Sequence, residues 1–156
     1  MLRRRLLIAT AAWPTVALAH HGWSSFDLGR PLWLEGSARR VAWRNPHAEL
    51  DLELAADLRL PPDLARRQPP AQSAAIDGAA LFARARLPAR QDRIWRVELA
   101  PLTRMQAWNV AEITDGERIA VIGFEPAEPR VPALARAEYL FVGSAIYGLR
   151  SSPAGG

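Results

Sequence analysis

The sequence predicts a mainly β domain, a small five-stranded barrel of the OB type with one short helix and a long Pro/Ala/Arg-rich loop. An open β-sandwich is the alternative. Three observations predict it. "HAELDLEL" (residues 47–54) alternates cleanly, with Ala48, Leu50, Leu52 and Leu54 on one face and Glu49, Asp51 and Glu53 on the other, the signature of a half-buried strand. A strand-like run over residues 31–43 precedes it across an Asn45-Pro46 turn signal, so the two form a hairpin. The order that follows is loop, strand, short helix, strand, strand, which matches a five-stranded barrel with its helix between the third and fourth strands.

Each element has its own local reason. Residues 31–43 carry β-branched and aromatic residues with Gly36 in mid-run, where a glycine marks a bulge or the sharp coil a small barrel needs. Residues 55–92 lack sustained periodicity and are rich in Pro, Ala and Arg. They read as a mostly disordered loop insertion with one short helix around residues 79–85. "IWRVELAPL" restores the two-residue period, with Trp95, Val97 and Leu99 on one face, and a short helix is expected at residues 103–108. "TDGE" is a turn, and "RIAVIGFEP" reads as a buried strand. "ALARAEYLFVGSAIYGL" gives one or two strands with a break near Gly143. Trp95 and Trp108 are expected in the core, and at least one of Trp23 and Trp33 partly exposed.

The chain has 156 residues, enough for one domain over residues 20–150, with residues 151–156 as a disordered tail. Residues 1–19 read as a signal peptide. Arg3, Arg4 and Arg5 form the positive start, residues 6–18 an apolar stretch, and Ala17 and Ala19 the small-residue ending before a cleavage site. A short apolar stretch of this kind is too brief for a stable span, and no second one follows. The expected location is therefore the periplasm. Removing Arg3, Arg4 and Arg5 from a net charge of +4 leaves +1, which disfavours nucleic-acid binding. There is no cysteine, so no disulfide supports the fold.

Several stretches together resemble a family of small exported bacterial proteins known only as a domain of unknown function. They are His20-His21-Gly22-Trp23, the run holding Phe26, Asp27, Pro31, Leu34 and Gly36, and the Trp43-x-Asn45-Pro46-His47 motif. Glu98, Trp108, Gly116 and the "ERIAV" strand fall where similar elements are expected. The resemblance implies an exported β-rich domain and no activity. The segment over residues 55–92 is longer than the family pattern.

All three histidines lie in these motifs, and they are the one constellation with metal chemistry. Cleavage after Ala19 would make His20 the first residue, and its α-amino nitrogen and imidazole Nδ1 can chelate one ion together. A third nitrogen from His47 or His21 completes a tetragonal set that suits Cu(II), an arrangement similar to the histidine brace of exported copper proteins. His47 shares the polar strand face with Glu49, which could accept a hydrogen bond from its ring, while Trp23 and Trp43 could shield the site and Asn45 shape its turn. The competing account is structural: two solvated histidines at a mature N-terminus, and His47 bonded within its own turn. Asp27, Glu35, Asp51 and Glu98 are candidates for paired-carboxylate hydrolysis, but no spacing singles out two of them. Function therefore reads as a non-enzymatic exported binding or accessory protein holding copper. A metal-free module docking on a periplasmic or membrane redox enzyme is the alternative, and a copper-dependent oxidative enzyme the second.

Overall fold

The computed structural model describes residues 22–155. Residues 1–19, read above as a signal peptide, and both His20 and His21 lie outside the described residues. Six strands and two short helices run in the order β1 (Leu32–Ala42), β2 (Glu49–Leu54), α1 (Gly78–Arg84), β3 (Ile94–Glu98), α2 (Leu102–Ala107), β4 (Arg118–Phe124), β5 (Leu134–Val142) and β6 (Ala145–Gly148). Antiparallel pairing joins β3-β2-β1-β4-β5, and a parallel pairing of β3 with β5 closes the ring. This is the expected five-stranded OB-type barrel, with α2 between the third and fourth strands as predicted. The sixth strand is an addition, folded back on β5 through a turn at Gly143, whose φ is +57°.

Alternation decides which side chains fill the barrel. Leu50, Leu52 and Leu54 of β2 and Trp95 and Val97 of β3 point inward and are buried, together with Leu34 and Ala38 of β1. Alanines at 133, 135 and 137 let β5 approach the others closely. At Gly36 the long first strand pairs on both edges, with Leu54 of β2 and Ile119 of β4. A Cβ there would lie 2.0 Å from the Glu53 carbonyl oxygen, so only glycine allows the strand to coil as tightly as closure requires.

The outward faces of β1, β4 and β5 are also apolar. Trp33, Ala120, Ile122, Tyr139 and Phe141 form a second cluster there. Covering it is the segment over residues 55–92, which sequence composition made a disordered insertion and which instead lies against the barrel as an ordered strap. It places Leu64, Leu81, Phe82 and Ala85 on the aromatic face. Its helix α1 matches the expected position and starts at Asp77, whose Oδ1 accepts from the Ala80 amide at 2.9 Å. A parallel bridge then ties it to β1: the Trp33 amide donates to the Arg86 carbonyl (2.8 Å), and the Arg86 amide to that of Pro31 (3.1 Å). The strap is ordered because the barrel offers an aromatic face that would otherwise meet water, not because its own propensities demand structure.

The tail is likewise tied down rather than disordered over residues 151–154. The Ser73 amide donates to Ser152, and the Ala154 amide to Ala71. The Ser151 amide donates to the Gln72 side chain. Trp95 is fully buried as expected, whereas Trp108 is only half-buried, its Nε1 donating to the Ser151 carbonyl at 2.8 Å. Of the other pair, Trp33 is buried and Trp23 partly exposed.

Candidate functional site

Trp23 opens a single 3-10 turn, Trp23–Ser25, at the start of the described chain. Two backbone hydrogen bonds hold it to the segment after β4: the Asp27 amide donates to Glu125, and the Ala127 amide to Ser25, both at 2.9 Å. The indole is gripped by cations. The Arg150 guanidinium carbon lies 3.7 Å from its ring centroid and that of Arg136 5.4 Å, while Phe26 and Phe124 pack at 6.4 Å. Guanidinium groups held over an aromatic face are attracted by its quadrupole, more strongly where water is excluded. The chain that follows residues 20 and 21 is thus fixed, not frayed.

Each of these arginines is neutralised by a carboxylate. Arg136 donates through Nε (2.9 Å) and Nη2 (2.6 Å) to Glu98 Oε2, and Arg150 donates through Nε to Glu138 at 2.7 Å. Glu138 is fully buried at a bulge in β5, and it also accepts from Gln72 of the strap at 3.1 Å. A buried charge without partners would be strongly destabilising, so this carboxylate holds strap, tail and barrel together.

Glu98 leads from this platform to the histidine motif. It stands directly across the β2–β3 pair from Glu49, two residues from His47. The antiparallel ladder continues past β2, since the Ala48 amide donates to Ala100 and the Leu99 amide to Ala48. With Ala48 fully buried, half-buried His47 falls in phase with Glu49, Asp51 and Glu53 on the outer face, as expected. Trp43 packs half-buried against the barrel core. Asn45, joined to Pro46 by a cis peptide bond, accepts from the amide of Leu102 at 3.3 Å and so satisfies one free donor at the start of α2.

The predicted residues therefore divide. His47, Glu49 and Asn45 share one end of the hairpin, and Trp23 reaches that face through Arg136 and Glu98. Trp43 turns to the core, and His20 and His21 are not described. Glu49 has no ion-pair partner among the described residues. Asp27, Glu35, Asp51 and Glu98 each pair instead with arginine, namely Arg30, Arg118, Arg40 (and Arg96) and Arg136. Among the described residues no group of three His, Asp or Glu could by itself hold a metal ion, and no helix is long and apolar enough to cross a membrane. Sequence reasoning missed Arg136, Glu138 and Arg150. The signal was present, because Arg136 and Glu138 are charges set two apart inside an otherwise apolar strand.

Residues 7–58 match a family described as "Family of unknown function (DUF6152)". The matched span, about a third of the chain, takes in both the His-His-Gly-Trp stretch and the Trp-x-Asn-Pro-His turn, and the family's description assigns no activity. No curated protein and no solved structure matches the chain.

Proposed function

We propose that this is an exported periplasmic binding or accessory protein that holds Cu(II) at the N-terminus left by cleavage after Ala19. The amine and imidazole of His20 supply two nitrogens, and His47, with His21 in reserve, a further one. The observation that carries this reading is the hold that Arg136 and Arg150, both over its ring, have on Trp23. Only Gly22 and His21 then separate His20 from a fixed point, a reach of roughly 10 Å at the extended spacing of the chain. That point connects through Arg136 and Glu98 to the strand end bearing Glu49 and His47. The Glu49 carboxylate, without an ion-pair partner among the described residues, adds the negative charge that a divalent cation favours nearby.

The test uses protein recovered from the periplasm. Intact mass decides whether His20 comes first. A Cu(II) titration with EPR should then give one-to-one binding and a nitrogen-rich tetragonal spectrum. His47→Ala and one extra N-terminal residue should each weaken binding at least tenfold or change the spectrum. Binding that neither change affects sinks the copper reading. The metal-free docking alternative draws on the hairpin and the strap, whose Leu64, Leu81 and Phe82 are buried against the barrel while Leu60, Leu87 and exposed arginines such as Arg59 and Arg66 remain for a partner.

A further inference from the structure

A cavity of about 460 Å³ opens between the start of the strap and the outer faces of β1 and β4, beside the β5–β6 turn. Its size is that of a small-molecule site. Trp33 and Phe141 are among its lining, both largely buried with their rings packed edge to face at 5.0 Å, and Leu60, Pro61 and Pro62 of the strap form the facing wall. Three arginines stand around it. Arg67 pairs with Asp63 and Arg118 with Glu35, at 3.1 and 3.0 Å, whereas Arg59 is exposed and has no acidic partner among the described residues.

Among the described residues the charges thus leave Arg59 without a carboxylate, beside a lining that is only partly apolar. Arg118 and Arg67 can turn donors toward the same place without leaving their carboxylates, since a guanidinium carries five N–H groups. Trp33 adds a second, independent observation. Its ring is almost fully buried, and its Nε1–H is buried without an acceptor among the described residues. A buried donor in that condition is costly and calls for an explanation in the native structure. In the wall of an arginine-flanked cavity, a small displacement of the ring would let an incoming oxygen satisfy it.

We propose that this cavity binds an organic monoanion with an aromatic body, its carboxylate or sulfonate at Arg59 and Arg118 and its rings against Trp33 and Phe141. A dianion such as inorganic phosphate fits poorly, because Arg59, the lining cation without a carboxylate among the described residues, and a partly apolar wall do not replace its hydration. The site is separate from the N-terminal copper reading and stands or falls without it.

The experiment is a fluorescence titration of metal-free protein with 1-anilinonaphthalene-8-sulfonate, beside the uncharged N-phenyl-1-naphthylamine, which has the same ring system without the sulfonate. The expected result is one-to-one binding of the anionic dye, at least tenfold tighter than the neutral one and weakening as salt is raised. Arg59→Glu, at an exposed position, should weaken the anionic dye at least tenfold and leave the neutral dye and the thermal midpoint unchanged. Equal affinities for the two dyes, no binding of the anionic one, or full affinity in the Arg59→Glu protein would each overturn the proposal. The dye comparison is made on the unsubstituted protein, so it decides the matter whether or not the variant folds.

Discussion

The barrel interior and the aromatic cluster beneath the strap share β1, β4 and β5, yet they are built from different kinds of residue. Inside, Leu, Val, Ile and Ala recur every second position, and each strand brings its own share. Outside, Trp33, Tyr139 and Phe141 wait for Phe82 to arrive from a segment with no strand or helix period of its own. Phe82 then packs edge-on to Tyr139 at 5.0 Å and tilted against Phe141 at 5.5 Å. The first region follows from local pattern. The second exists only once the barrel has closed and presents its outer face.

That difference can be broken by substitution. Trp95→Ala, at a fully buried position inside the barrel, should cost about 3–5 kcal/mol, read as loss of the whole cooperative transition in urea. Phe82→Ala removes a buried ring of the outer cluster and should cost about 3 kcal/mol. Its distinguishing sign is early protease cleavage within residues 55–92 while the barrel stays folded, since the strap can open by itself. If both variants instead lose strap and barrel together, the two regions form one cooperative unit.

Asp77→Ala removes only the cap of α1 and should cost about 1 kcal/mol, with slightly faster nicking of the strap. The smallest effect is confined to alkaline solution. Burial pushes the Tyr139 phenol above its ordinary value of 10.0, partly opposed by its hydrogen bond to Gln72. The folded state therefore favours the protonated phenol. The resulting stabilisation is fully present below about pH 10 and is lost as pH rises through the higher folded value. Tyr139→Phe should flatten the alkaline limb of the stability profile, and an unchanged limb would assign it to other groups.

The hairpin, the order of strands along the chain and the place of both helices were legible because periodicity and turn residues act locally. The strap was not. Residues such as Pro61, Pro62, Pro69 and Pro70 read as disorder, although a fixed φ also lowers the entropy lost when a segment is laid on a preformed surface. The site was half legible. His47 and Glu49 fall on the polar face that alternation assigns them. The Arg136–Glu98 and Arg150–Glu138 pairs join residues 38 and 12 positions apart, and no spacing rule connects Trp23 to either.

Gly36 carries a consequence for any attempt to vary this protein. Both of its backbone edges are engaged, and the space where a side chain would begin is already occupied by the Glu53 carbonyl. Saturation mutagenesis at that codon should return glycine alone, even where neighbouring Ser37 accepts several replacements. A single hydrogen atom in place of a methyl group decides whether the first strand can serve as the seam of a closed cylinder.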